Sequence, residues 1–205
     1  MDTVVLASKS PRRREILKSL NIPFLVYTDD IDEEIKKEDN RRIVPSIINL
    51  SRKKVAAVSR FFTNGLIIGV DTVIYFNRKI LGKPEDAQQA WKYLRMLSGN
   101  RHQVISGITV RSAGDGMSYS SCSITEVHFA RISDSHLKWY IDQGEWVGKA
   151  GGYGIQGQAA LFVERITGSY HNVVGLPVEE LYKLLCRFSY FESEGVYRPI
   201  KGVGV

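Results

Sequence analysis

Residues 66–76, LIIGVDTVIYF, form a run of Leu, Ile, Val, Tyr and Phe carrying one charge, Asp71. A short run rich in β-branched and aromatic residues reads as a strand. Asp71 interrupts it, so even this segment falls short of the roughly 18 apolar residues of a membrane span. A strand with a carboxylate in its apolar middle sets two expectations at once. It is a central element of a sheet, and it carries something besides packing.

Outward from this strand, helical and strand patterns alternate. On the N-terminal side, TVVLA (3–7) is a short buried strand, SKSP turns into a helix ending near Leu20, IPFLVYT is a second strand, and 45–62 is a long helix. On the C-terminal side, a helix over 85–98 opens with Asp86 and Gln89 at capping-box spacing. Its apolar face is Ala87, Ala90, Trp91, Leu94 and Leu97. HQVISGITVRS and SITEVHFARI form an antiparallel pair joined by AGDGMSYSS. A helix at 133–143, a glycine-rich loop, the strand LFVERI and a helix from Pro177 to about Phe188 follow. The pattern is one α/β unit with a mixed sheet. It gives a domain over 1–188 and a C-terminal tail, 189–205, with no clear periodicity.

Composition narrows the class. The 205 residues are 43% apolar and 24% charged, as in ordinary globular proteins, and the net charge is +6. The N-terminus lacks the pattern of a secretory signal, and Cys122 and Cys186 stand in no metal or redox spacing, so the expectation is a cytoplasmic protein. The basic residues concentrate early, at 12–14, 36–37, 41–42 and 52–54. They form no stripe interleaved with aromatics and no recognisable nucleic-acid module; the basic balance fits nucleic acid or a site for a polyanionic small molecule.

Three charges sit where the pattern places core. In SPRRREILKSL, Ser10 suits the N-cap and Pro11 the first helical position, and Arg13 then falls among Ile16, Leu17 and Leu20. A helix N-terminus with such an arginine is an anion site; the competing reading lays Arg13 along the helix with its head in water. In the 45–62 helix, Lys54 shares a face with Ile47, Leu50, Val58 and Phe61. A buried ammonium needs an anion, either a structural carboxylate or a substrate phosphate. Asp71 is a candidate metal ligand or general base, or half of a buried salt bridge. Lys83 adds a cation in the tight turn LGKPED. Finally, KAGGYGIQG (149–157) has four glycines and a lone amide, Gln156; it is either a turn-rich connection or a loop that holds a ligand.

LASKSPRRREIL, VDTVIYF…ILGKPED, LSGNRHQVISGITV and KAGGYGIQG…GSYHNVVGLPVEEL occur in this order and together resemble the Maf family of nucleoside triphosphate pyrophosphatases, over about residues 3–186. The resemblance implies an elongated mixed β-sheet flanked by helices, with two lobes and a central cleft. It implies cleavage of a nucleoside triphosphate to the monophosphate and pyrophosphate with a divalent metal (Mg²⁺, Mn²⁺ or Co²⁺), and homodimers are a family expectation. Residue by residue, it gives Asp71 as catalytic and Ser10, Arg13, Lys54 and Lys83 as phosphate-binding. Glu33 joins Asp71 at the metal. Arg12, Thr72 and Gln156 fall on the base-selecting positions of the branch acting on dTTP and UTP. The 7-methyl-GTP branch has tryptophan after Ser-Pro, where this chain has Arg12. Val55 and Lys9 depart mildly from the family pattern. A nucleotide-binding regulator without turnover and a nucleic-acid module are the competing functions.

Overall fold

The computed structural model describes residues 3–29 and 42–193 of the chain. Seven strands form one mixed sheet: β1 (Val4–Leu6), β2 (Phe24–Val26), β3 (Leu66–Phe76), β4 (Lys79–Leu81), β5 (Arg101–Ser112), β6 (Ser118–Phe129) and β7 (Val163–Thr167). The order is β2-β1-β3-β5-β6-β7, with β4 paired to β3 as well. β1 is parallel to β2 and β3; the other pairings are antiparallel. The helices are α1 (Pro11–Ser19), α2 (Ile43–Ser59), α3 (Ala87–Leu97), α4 (Asp134–Asp142), α5 (Tyr170–Val174), α6 (Val178–Cys186) and α7 (Tyr190–Ser193). No described helix is long and apolar enough to cross a membrane.

LIIGVDTVIYF is one continuous strand at the middle of the sheet, as the apolar run predicts. β5 covers one of its edges from Leu66 to Tyr75. The opposite edge is shared. β1 pairs with Leu66–Ile68 and β4 with Ile74–Phe76, so among the described strands none covers positions 69–73 on that side. β1 runs parallel to β3 and β4 antiparallel to it. The segments that leave them, SKSP after β1 and GKP after β4, therefore approach this gap from opposite ends. Asp71 and Thr72 lie within it.

Side chains alternate across a strand. Ile67, Gly69, Asp71 and Val73 face α2, whereas Ile68, Val70, Thr72 and Ile74 face the other side. That second side holds two large apolar clusters. One joins Ile68, Val70 and Ile108 to Ile16 and Leu17 of α1 and Leu181, Leu184 and Leu185 of α6. The other joins Ile74 and Val104 to Leu94 and Leu97 of α3, Leu137 and Tyr140 of α4, and Phe129. Between them runs a polar row, Thr72, Ser106 and Ser123, in register across β3, β5 and β6. The two lobes thus correspond to two apolar cores divided by this row.

On the α2 side, Gly69 and Gly107 fix the distance of the helix. A Cβ at Gly69 would lie 2.5 Å from the Ser51 carbonyl oxygen, and one at Gly107 would lie 2.5 Å from that of Ile47. Only hydrogen at both positions lets the helix backbone rest on the sheet.

Several boundaries differ from the sequence reading, among them the start of the last strand, at Val163 rather than Leu161. The long helix ends at Ser59, not at 62, so Phe61 lies beyond it, half-exposed, with its ring 4.9 Å from Tyr27 and below the Arg60 guanidinium. β6 starts at Ser118, which shortens the expected AGDGMSYSS loop, and β4 is too short for periodicity to register. Tyr190, just past the expected domain end, is buried in the α1/α6 cluster.

Candidate active site

The α2 side of the gap holds the buried ion pair. Lys54 Nζ lies 2.5 Å from Asp71 Oδ1 and donates to the Val70 carbonyl at 3.4 Å. Their side chains are 8% and 14% exposed, so neither charge is fully solvated. The sequence offers each a structural partner or a ligand; in the structure they are partners of one another. The close seating of α2 over Gly69 and Gly107 makes that reach possible.

The other side of the gap holds the arginines. Arg13 is buried and spans three elements: its Nε donates to the Gly175 carbonyl (2.7 Å), Nη1 to Ser8 Oγ (2.8 Å) and Nη2 to Thr72 Oγ1 (3.1 Å). The reading with its head in water is thereby excluded. Arg12 Nε donates to the Val174 carbonyl at 3.2 Å, and burial lowers its pKa from the usual arginine value, opposed by Glu15 and Tyr140. Ser10 occupies the N-cap position of α1 with Pro11 following, but its side chain makes no capping hydrogen bond; its backbone N–H reaches Ser8 Oγ at 3.3 Å. The carbonyls that hold both arginines end the short helix α5. Asn172 anchors that helix, since its Nδ2 donates to the Val104 carbonyl and Thr125 Oγ1, both at 3.0 Å.

The glycine loop crosses this same side. Tyr153 packs into the α3/α4 cluster and Ile155 into the α1/α6 cluster, so the loop bridges the two lobes along the polar row. Tyr153 OH lies 2.7 Å from His102 Nε2, and the Gly151 N–H donates to the Gly82 carbonyl beside Lys83. Burial pushes the His102 imidazole down to about 3, with His128 adding to the effect, and raises the Tyr153 phenol. Behind the loop, Glu145 Oε2 accepts from the Gln158 N–H at 2.7 Å, and Lys149 Nζ donates to the Glu145 carbonyl. A side chain at Gly157 would collide with the Glu145 carboxylate. Here the missing Cβ makes room for a protein carboxylate. Burial lowers the Lys149 pKa, which Glu145 opposes, and raises the Tyr140 phenol beside Glu145. Arg12 contributes to both shifts and so stands within electrostatic reach of the loop.

Gln156 itself is exposed, and its side chain makes no hydrogen bond among the described residues. Lys83 is likewise exposed, at the end of β4. Glu33 lies outside the described residues. The structure therefore gathers Ser10, Arg12, Arg13, Thr72 and the Gln156 loop on one side of the gap. Lys54 and Asp71 are on the other, and Lys83 follows the strand that bounds it.

A divalent cation at such a gap needs hard oxygen donors. Among the described residues no group of three or more His, Cys, Asp or Glu side chains converges. Mg²⁺ is commonly held by one or two carboxylates together with substrate phosphates and water. Asp71 fits that donor set, but it cannot form a cage by itself.

Sequence reading missed Ser8, Ser106 and Glu145. Ser106 alternates with Val104, Ile108 and Val110 on one apolar face, the same signal that marked Lys54 and Asp71. Glu145 sits in a turn with no periodicity to set it apart.

Comparison with known proteins agrees in extent with this architecture. The family model described as Maf-like protein matches residues 3–188. A protein named dTTP/UTP pyrophosphatase from Alkaliphilus metalliredigens is 43% identical, over 90% of this chain and 95% of that protein. Another of that name from Pyrococcus horikoshii is 44% identical, over 88% of this chain and 94% of its own length. Among solved structures, a HAM1 protein from Coxiella burnetii aligns with a TM-score of 0.49 at 14% identity, covering 91% of this chain and all of that one. With the family model covering the whole α/β domain and relatives above 40% identity along nearly its full length, the chain belongs to the Maf-like protein family.

Proposed function

We propose that this protein hydrolyses nucleoside triphosphates between the α and β phosphates, releasing a nucleoside monophosphate and pyrophosphate, with dTTP and UTP preferred. The observation that carries the reading is the gap in the β3 edge. It places a carboxylate, Asp71, one residue from Thr72 but on the opposite face of the sheet, and two segments, one leading into the arginines of α1 and one carrying Lys83, run into it. A nucleotide lying through the gap would meet Arg12, Thr72 and Gln156 with its base. Its phosphates would meet the α1 N-terminus, Arg13, Lys54 and Lys83. The relatives at 43–44% identity bear the name of this activity.

In this reading Asp71 orients the attacking water and accepts its proton, while Lys54 holds the carboxylate in place. Phosphate binding gives Lys54 a second anion, so the pair loosens without leaving either charge bare. Arg13 and the N-terminal N–H groups of α1 receive negative charge that grows on the departing pyrophosphate. Asp71, with Glu33 as the resemblance implies, would hold the divalent cation. Once bound, that ion supplies further neutralisation of the leaving group.

The test is a panel of nucleoside triphosphates with Mg²⁺ or Mn²⁺ in ¹⁸O-water. Attack at the α phosphorus puts the label in the monophosphate. Label in pyrophosphate would mean attack at β, and orthophosphate as first product would mean another enzyme class. Tight nucleotide binding with no turnover under any metal would favour a regulator.

A further inference from the structure

Ser106 belongs to none of the roles above, yet it lies opposite Thr72 in the register of β3 and β5 and is completely buried. Its hydroxyl is 2.8 Å from Thr72 Oγ1 and makes no other hydrogen bond among the described residues. The distance alone leaves open which of the two donates. The surroundings settle it. A hydroxyl has one hydrogen and two acceptor positions. Arg13 Nη2 can only donate, so it occupies one acceptor position of Thr72. Were Thr72 to give its hydrogen to Ser106, the Ser106 hydrogen would be buried without an acceptor, a costly arrangement. With Ser106 donating, every group is satisfied. Both acceptor positions of Thr72 are then filled, and its own hydrogen is directed elsewhere. Among the described residues the one acceptor for it is the Gly175 carbonyl at 3.4 Å, the long end of the range.

We infer that Ser106 is a specificity-positioning residue: by donating to Thr72, it commits the Thr72 hydroxyl to act as a donor toward the cleft. A fixed donor favours a base carbonyl oxygen, as in uracil and thymine, and disfavours a base amine, as in cytosine, which needs an acceptor. This rests on the assignment of Thr72 to base recognition above. Ser106 touches no substrate; it acts through the polarity it imposes on its neighbour. A polar row that looks like a seam between two apolar cores thereby becomes part of base selection.

The experiment measures binding of the α,β-imido analogues of UTP and CTP to the whole protein, which needs no turnover. It uses Ser106→Ala, Thr72→Val and the double variant, with melting temperatures alongside. Ser106→Ala frees an acceptor position on Thr72, so the UTP-over-CTP ratio should fall by roughly tenfold or less, while UTP binding changes little. Thr72→Val should also erode the ratio, and adding Ser106→Ala to it should change the ratio no further. Ser106→Cys, similar in volume and a weak donor, should give an intermediate ratio and serves if the alanine variant does not fold. A parallel loss of both nucleotides with the ratio intact would make Ser106 merely structural and overturn the inference. So would additive effects of the two substitutions on the ratio. A ratio insensitive to Thr72→Val would sink the Thr72 assignment and this inference together, and a wild-type protein with no base preference would sink both at once.

Discussion

Asp71 and Lys54 would each be expensive alone in an apolar setting, and together they form a pair whose Coulomb attraction offsets their desolvation. Removing one partner of such a pair costs about 3–5 kcal/mol, so truncating Lys54 confounds chemistry with stability. Asp71→Asn separates the two better, because it keeps the shape and a hydrogen-bonding oxygen for Lys54. Its kcat should fall on the order of 10²-fold or more, with folding retained by circular dichroism. An Asn variant with most of its activity would remove Asp71 from the chemistry. Gln156 is the opposite case. Being exposed and without a side-chain hydrogen bond among the described residues, it can be replaced by Ala at little cost to stability, within about 0.5 kcal/mol. If it reads the base, the UTP-over-CTP ratio in kcat/KM should drop about fivefold or more while the melting temperature stays put. A ratio that survives, whatever happens to the rates, would leave base choice to the width of the pocket.

At the scale of elements, the seating of α2 on β3 and β5 decides whether the ion pair exists. Gly69 and Gly107 are the contact points, and the Ser51–Thr109 hydrogen bond of 2.7 Å stitches the same interface. Gly107→Ala must push the helix outward by a few tenths of an ångström or more. Overpacking of this kind costs typically about 1–3 kcal/mol. For a chain of this size, that is about 2–4 °C in Tm per kcal/mol. The same displacement withdraws Lys54 from Asp71, so kcat should fall along with Tm, although residue 107 carries no chemistry. Calorimetry and steady-state kinetics on the one variant check both. A drop in Tm with kcat unchanged would show that the pair tolerates the shift.

For the whole molecule, His102 and Tyr153 tie the glycine loop to the sheet from inside the α3/α4 core. Burial holds His102 neutral down to about pH 3, whereas an exposed histidine takes a proton near 6.5. Between those values the unfolded chain binds a proton that the folded one does not. Stability from this site is therefore whole above about pH 6.5 and declines as pH falls toward 3. The slope is at most about 1.4 kcal/mol per pH unit. His102→Gln should be less stable at neutral pH but flatter below it. Urea midpoints at pH 7.5, 6 and 5 for both proteins compare the slopes, and equal slopes would assign the acid sensitivity to other groups.

β4 and the short α5 left no periodic signal, but the longer helices and strands, the start of α1 and the three charges in apolar places follow from the sequence alone. They are local signals, carried by a period of two or 3.6 and by turn and cap residues within a few positions of one another. The motifs that resemble the Maf family were legible for the same reason, each being a continuous run. The tertiary structure decided how those pieces face one another. Parity along β3 sends Asp71 and Thr72 to opposite sides, but only the register with β5 pairs Thr72 with Ser106. Only the sharing of one edge by β1 and β4 leaves the gap between them. That Lys54 and Asp71, seventeen positions apart, are each other's partner depends on two glycines on separate strands that admit the helix backbone. Edge sharing, register and close approach are relations between distant segments, fixed by how the apolar faces pack, and no window of sequence contains them.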